Sequence, residues 1–217
     1  MSIRVAVITP ASMNRLDHLQ RQRRFLTEVR TPGIEVVRVE AWLDVDAPPA
    51  VPSVLSVHVP PGRDGMRVGA ARNAAAALAL DHGVDLLVFL DVDCLPGPDL
   101  LERYVDAARD HPHDLLCGPV TYLHSVQRPS RMVDLGTMTR PHPARPLPPD
   151  GDVVTATDDE FDLFWSLSFA VTAETWTRLG GFDEAYEGYG AEDTDLGRRA
   201  RSLGMLSLIH ISEPRDR

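Results

Sequence analysis

Short apolar runs that alternate with helix-like segments most constrain the fold of this chain. Runs rich in Val, Ile and Leu at residues 3–9, 34–39, 54–59, 84–90 and 115–120 predict strands. Between them, residues 16–29, 66–81 and 98–108 have the apolar spacing of helices. Strands that alternate with helices form a parallel sheet with helices on both faces. The sequence therefore predicts an α/β fold with a mostly parallel central sheet flanked by helices.

The remainder of the chain has a different character. Proline is concentrated between Pro129 and Pro149, and residues 122–152 show little periodicity, so we interpret them as a long substrate-side loop. Order resumes with a predicted strand at 163–171 and predicted helices at 174–179 and 193–203. A length of 217 residues favours a single domain.

The charge of the chain excludes several classes of function. The net charge is −10, and all 22 basic residues are arginines. This excludes a P-loop lysine or a Schiff-base lysine, and it argues against a nucleic-acid partner. The sequence has no apolar stretch long enough for a transmembrane segment and only two cysteines, so we expect a cytoplasmic protein. An anionic substrate would need local arginines, backbone amides or a metal ion.

Two carboxylates follow the most apolar predicted strand. Asp91 and Asp93 come directly after Leu86-Leu87-Val88-Phe89-Leu90. Ligands of open α/β sheets bind at the carboxyl ends of strands, where this pair can approach one site. One or two carboxylates suit Mg²⁺ or Mn²⁺ when water and substrate phosphates supply the other ligands. The alternative is that these residues only end the strand and cap the next helix.

A second acidic segment begins a predicted helix. Glu192 and Asp193 follow the turn Gly188-Tyr189-Gly190, and one carboxylate here can act as a general base. The alternative is stabilisation of acidic side chains by the helix dipole. A dinucleotide fingerprint is rejected, because no strand precedes the glycines and no third glycine follows.

Four further residues give weaker indications. Arg15 and Arg72 can reach a phosphate or a base, although an arginine on a helix is more often a solvated surface residue. Trp165 and Tyr189 can stack on a sugar, although an aromatic side chain in a strand is more often part of the core.

Taken together, four segments in this order resemble the motifs of GT-A glycosyltransferases, in particular family 2 and the C-terminal half of the beta-1,4-galactosyltransferase type. They are residues 7–10 with 14–19, residues 69–73, residues 89–93, and residues 180–184 with 188–196. The resemblance implies a GT-A, Rossmann-like nucleotide-diphospho-sugar transferase fold in one domain, 1–205. Residues 1–120 would be the nucleotide-binding half and 121–205 the acceptor and catalytic half.

The resemblance also implies roles for individual residues. It assigns the binding of the sugar-nucleotide donor to five residues: Thr9, Pro10, Arg15, Arg72 and Asp91. Asp93 would bind Mn²⁺ or Mg²⁺, with Asp91 directed toward the ribose or the metal. The sugars and the acceptor would lie beside Trp165, Gly181, Tyr189 and Glu192. Asp193 would deprotonate the acceptor hydroxyl, which suits a single displacement with inversion.

The sequence departs from the family pattern near residue 205. In these families a strand and then a metal-binding histidine follow the Glu-Asp helix, and His210 comes too early to match. Residues 208–214 resemble a translated cloning adapter. We therefore expect residues 206–217 to be a tail, either non-native or the end of a truncated gene model.

The predicted function is that of a metal-dependent, inverting glycosyltransferase. The donor would be a nucleotide-diphosphate sugar, with UDP favoured over GDP-mannose, and the acceptor an unknown glycan, lipid-linked or small-molecule hydroxyl. One alternative is a sugar-1-phosphate nucleotidyltransferase, which usually needs a glycine-rich loop where this chain has Ala11-Ser12-Met13. The other is a sugar-nucleotide-binding protein without catalytic turnover.

Overall fold

A computed structural model describes residues 2–48, 51–123, 129–132, 139–141, 154–157, 161–162, 164–188 and 190–209. The strands in these residues are β1 (Ile3–Ala11), β2 (Ile34–Trp42), β3 (Leu55–His58), β4 (Leu86–Leu90), β5 (Leu115–Cys117), β6 (Thr121–Leu123), β7 (Thr139–Pro141), β8 (Val154–Thr155), β9 (Ser168–Thr172) and β10 (Ser207–Ile209). The helices are α1 (Leu16–Leu26), α2 (Val68–Asp81), α3 (Leu100–Asp110), α4 (Ala173–Leu179) and α5 (Glu192–Ser202). A 3-10 turn, Met13–Arg15, precedes α1.

Eight of these strands form one sheet in the order β3-β2-β1-β4-β9-β5-β10-β8. The strands β3, β2, β1 and β4 are mutually parallel, and β5 and β10 are parallel to each other. Two strands run against their neighbours: β9 between β4 and β5, and β8 at the edge beside β10. The mostly parallel α/β fold predicted from the sequence is thus confirmed.

The central strand β4 separates two apolar layers. All five of its residues are buried, as expected for a strand covered on both faces. Leu87 and Phe89 contribute to a core that includes the alanine face of α2. Leu86, Val88 and Leu90 contribute to the opposite core, which includes buried residues of α1 and α3. Because successive strand residues point to opposite faces, one apolar run stabilises both layers and fixes where the chain after Leu90 emerges.

Several boundaries differ from the sequence prediction. The first strand continues through Pro10 to Ala11, and the strand predicted at 163–171 begins only at Ser168. Short strands β6 and β7 pair across part of the predicted loop 122–152, most of which lies outside the described residues. Residues 207–209, predicted to lie in a tail, pair with β5 inside the sheet. His210 and the residues after it lie outside the described part. None of the described helices is both long and apolar enough to cross a membrane.

Candidate active site

The carboxyl ends of β1 and β4 meet at one edge of the sheet, and Asp91 lies there. Cys94 donates its backbone N–H to the carbonyl oxygen of Asp91 at 2.8 Å, so residues 91–94 form a tight turn. The backbone N–H of Asp91 donates to the carbonyl oxygen of Leu167 at 2.9 Å. Since β9 is antiparallel to β4, the residues just before β9 reach this same edge. The turn therefore lies beside the segment that leads into β9.

Arg72 connects the two acidic segments. Its guanidinium, which is only 3% exposed, lies 2.7 Å from Asp91 Oδ1, 3.4 Å from Asp193 Oδ1 and 3.6 Å from Glu192 Oε1. Its Cζ also lies 5.2 Å from the centre of the Phe182 ring, within the range of a cation–π contact. Within the described part of the chain, the Nε atom of Arg72 has no hydrogen-bond partner. One buried cation therefore joins carboxylates that are about a hundred positions apart in sequence.

The pKa values in this cluster are shifted by burial and by the presence of three carboxylates around one guanidinium. Burial raises the pKa of Asp91, although the neighbouring Arg72 opposes that rise. Burial and then repulsion by Asp193 raise the pKa of Glu192. Burial by itself lowers the pKa of Arg72, but the three carboxylates outweigh this effect, so that pKa is raised and the guanidinium stays charged. Three carboxylates around one cation form an acidic site.

The predicted base, Asp193, is held in a defined orientation. Ser166 donates its hydroxyl to Asp193 Oδ1 at 2.6 Å and its backbone N–H to Oδ2 at 3.1 Å. The carboxylate is 26% exposed, and each carboxylate oxygen has two lone pairs, so Asp193 Oδ2 can accept a further proton or hydrogen bond. Ser166 was not identified from the sequence, because nothing in the residues around it indicates that it faces a helix 27 positions later.

The turn before α5 has an unusual backbone conformation. Gly188 and Gly190 have φ values of +87° and +93°, which side chains disfavour, and Ala191 also has a left-handed φ of +72°. The N–H of Gly188 donates to the carbonyl oxygen of Met66 at 2.9 Å. The bend predicted from the glycines is thus present and leads directly into Glu192 and Asp193. Tyr189, the predicted sugar-stacking residue, lies outside the described residues.

The residues around Asp93 supply only part of the ligands that a divalent cation needs. Asp93 is 47% exposed, and its Oδ2 lies 3.4 Å from Nη1 of Arg15. Among the residues that the structure describes, no group of three or more His, Cys, Asp or Glu side chains is placed to hold a metal ion. Asp91 and Asp93 alone are a donor set that suits Mg²⁺ or Mn²⁺ only if phosphates and water supply the other ligands.

Two of the remaining predicted site residues make hydrogen bonds inside the protein. Thr9 and Pro10 are buried within β1, and the Thr9 hydroxyl donates to Gln22 Oε1 at 2.9 Å, so this hydroxyl has a partner inside the protein. Gly181 accepts a hydrogen bond from Arg199 at 2.7 Å. Trp165 is half-buried and directly precedes Ser166.

Two family models match adjoining parts of the chain. Residues 56–159 match glycosyl transferase family 2, and residues 156–209 match a model described as the N-terminal domain of galactosyltransferase. The first range contains the Asp91–Asp93 turn and the second contains the start of α5. These matches confirm the predicted resemblance. The chain thus resembles family 2 glycosyltransferases in its central part and galactosyltransferases in its C-terminal part.

Two curated relatives carry the name validoxylamine A glucosyltransferase. They come from Streptomyces hygroscopicus subsp. jinggangensis and subsp. limoneus, and each is 31% identical over 160 residues, or 65% of this chain. The chain spans 36% and 34% of their respective lengths, which is about a third of each relative.

Solved structures of similar fold include two complexes with UDP or a UDP-sugar. S. aureus TarS in complex with UDP gives a TM-score of 0.64 at 15% identity, over 98% of this chain and 59% of that one. A Drosophila beta-1,4-galactosyltransferase 7 variant with manganese, UDP-Gal and xylobiose gives 0.57 at 18% identity, over 99% of this chain and 66% of that one. The GT-A fold predicted from the resemblance is therefore confirmed.

Proposed function

We propose that this domain transfers a sugar from a nucleotide-diphosphate sugar, preferably a UDP-sugar, to an acceptor hydroxyl with inversion. One observation carries the proposal: the buried Arg72 contacts Asp91 through Nη2 and Asp193 through Nη1 of a single guanidinium. A carboxylate suited to a cation and a carboxylate suited to proton transfer thus share one site. The UDP and UDP-Gal complexes of the similar folds support this class of donor.

In the proposed reaction, Asp193 is the base. The acceptor oxygen bonds to the anomeric carbon while the bond from that carbon to the diphosphate oxygen breaks, and the acceptor proton passes to a carboxylate oxygen of Asp193. Ser166 fixes the direction of this carboxylate through two hydrogen bonds. The acceptor oxygen attacks one face of the anomeric carbon, with Asp193 beside it, and the diphosphate leaves from the other face, so the configuration inverts.

Asp93, together with Asp91, would hold Mn²⁺ or Mg²⁺. When bound, such a cation neutralises the charge that develops on a departing nucleoside diphosphate. A local source of positive charge is needed because the chain carries a net charge of −10 and no lysine. Arg15 is the nearest described cation to Asp93 and contributes its guanidinium from the rim of the site. The cytoplasm remains the predicted compartment.

The base assignment is tested by Asp193→Asn and Asp193→Ala, compared with Asp195→Asn. Asp195 lies on the same helix but pairs with Arg199 at 2.8 Å, so its variant is the matched control. We expect loss of the base to lower sugar transfer about 10²–10⁴-fold without unfolding the protein, and the control to keep its activity. The assay follows UDP release from a set of UDP-sugars with and without candidate acceptors. A fully active Asp193→Asn variant contradicts the assignment.

The donor and metal assignments are tested together. Sugar nucleotides are screened for Mn²⁺-dependent thermal stabilisation, because a ligand that binds only the folded state raises its stability. We expect UDP-sugars to give the largest shift and Asp93→Ala to abolish both that shift and transfer. Mn²⁺-dependent UDP binding with neither transfer nor donor hydrolysis would favour a binding protein over an enzyme.

A further inference from the structure

A single glutamine on α1 is buried beneath the Asp91–Asp93 turn. Gln22 is 1% exposed and lies on the same helix face as Leu19 and Phe25. An amide buried among apolar side chains is costly unless its polar atoms are hydrogen-bonded. The hydrogen-bond partners of Gln22 therefore indicate why a polar side chain is buried here.

Those partners are two carbonyl groups and one hydroxyl. The Gln22 side-chain nitrogen donates to the carbonyl oxygen of Asp91 at 2.6 Å and to that of Cys94 at 2.9 Å. Its oxygen accepts the Thr9 hydroxyl at 2.9 Å. Since backbone carbonyls only accept, both N–H groups must face the turn, and the Thr9 hydroxyl satisfies the opposite end of the amide. The donors and acceptors around the Gln22 amide thus allow only this orientation of its nitrogen and oxygen.

The two carbonyls belong to the first and last residues of the turn that carries both carboxylates. Asp91 O already accepts the N–H of Cys94, and the Gln22 bond engages it a second time. Val92 and Asp93 are the central residues of this turn. Gln22 therefore ties both ends of this turn to α1 and, through Thr9, to β1. The helix that carries Gln22 is itself fixed, because the adjacent Arg23 makes two hydrogen bonds of 2.7 Å to the buried Glu40 of β2.

We infer that Gln22 is a positioning residue that sets the spacing of the Asp91 and Asp93 carboxylates. It acts through the backbone of the turn from the side opposite the site. This inference rests on the proposed function, in which that turn holds a divalent cation. It also assigns Thr9 a role: its hydroxyl orients Gln22.

The experiment uses the whole chain with UDP and Mn²⁺ as probes. Gln22→Met keeps the length of the side chain but removes all three hydrogen bonds, and Thr9→Val removes only the orienting hydroxyl. The matched control is Gln20→Met, the same change at an exposed position of the same helix. Calorimetry measures the affinity for Mn²⁺ in the presence of UDP, and thermal unfolding without metal measures stability separately.

Loss of a residue that supports metal ligands typically weakens metal affinity about 10–100-fold, and we expect that range for Gln22→Met. Thr9→Val should weaken Mn²⁺ affinity by a smaller factor, and Gln20→Met should leave it unchanged. A Gln22→Met variant that unfolds at a lower temperature yet binds Mn²⁺ as tightly as the wild type overturns the positioning role while the proposed function stands. If Gln22→Met does not fold, unchanged Mn²⁺ affinity in folded Thr9→Val overturns it. A wild-type chain without Mn²⁺-dependent UDP binding overturns both proposals.

Discussion

The two acidic segments of the site are held in different ways. The Asp91–Asp93 turn continues a fully buried strand, and its backbone is fixed by Gln22 and by the Leu167 carbonyl. The start of α5 follows residues with left-handed backbone conformations, and Asp193 is fixed through Ser166. Arg72 is the contact that the two segments share. The sheet core thus sets the position of the first segment, whereas polar contacts at the edge set that of the second.

Breaking the shared contact should have the largest effect. Arg72→Met leaves three carboxylates without their cation, and loss of one partner from a buried ion pair costs about 3 kcal/mol in the free energy of unfolding. Chemical denaturation at neutral pH measures the loss, which should shrink at acidic pH as the raised pKa values of Asp91 and Glu192 let both carboxyls protonate.

Arg198→Met is the control for this prediction. It removes an exposed two-bond pair with Asp162, so the unfolding transition should not move. If the two variants unfold at the same denaturant concentration, Arg72 does not stabilise the contact between the segments.

Glu192→Gln tests how the charge of the second acidic segment affects stability. Because burial and Asp193 raise the pKa of Glu192 in the folded protein above its ordinary 4.5, the folded state binds the proton more tightly than the unfolded state. That contribution to stability is fully present below pH 4.5 and is lost as the pH rises through the raised pKa. We therefore expect Glu192→Gln to be more stable than the wild type at pH 7.

The midpoint of denaturation is measured for both proteins at several pH values from about 4 to about 8, a range that begins near the ordinary pKa of a glutamate and extends well above it. The advantage of the variant should grow with pH and then level off. An advantage that is the same at every pH would contradict the raised pKa as its cause.

Substitutions of Ala191 should give the smallest effect and test only the second segment. A left-handed conformation costs a non-glycine residue about 1 kcal/mol, and glycine removes that cost but adds flexibility to the unfolded chain. Ala191→Gly should therefore change the free energy of unfolding by less than about 1 kcal/mol. Ala191→Val, whose branched side chain tolerates a φ of +72° poorly, should lower it clearly. Equal stability of the Gly and Val variants would argue against strain at this position.

The sequence predicted the elements of the fold better than the partners of the site residues. The buried run Leu86–Leu90 and the two carboxylates after it place a candidate site at the carboxyl edge before any coordinates are known. The direction of β9 was not predictable, because the sequence of an apolar strand does not show whether it pairs in parallel or antiparallel with its neighbours. The pairing of β10 with β5 was missed for the same reason, since it joins residues about ninety positions apart.

The long-range partners of the site residues were also not predicted. Gln22 and Ser166 contact residues 69 and 27 positions away, and no spacing rule connects them. Arg72 is buried against three carboxylates, and its predicted role near a diphosphate stays a prediction. A local signal for this burial did exist: Arg72 lies in the alanine-rich helix α2, whose face toward the sheet is otherwise small and apolar. The roles predicted for Asp93, Asp193 and Arg15 stay predictions.

The reversed direction of β9 has a consequence for how such a domain can diversify. Parallel strands send their following loops to the carboxyl edge, whereas an antiparallel strand presents its preceding loop there. The 50 residues that separate β5 from β9 therefore both leave and re-enter the sheet at the edge that holds Asp91. This connection includes β6, β7 and β8, but the pairing of β9 with β4 and β5 does not depend on what lies between its two ends. Under the proposed function, acceptor specificity can therefore change within this segment while Arg15, Arg72 and Asp91 keep their positions.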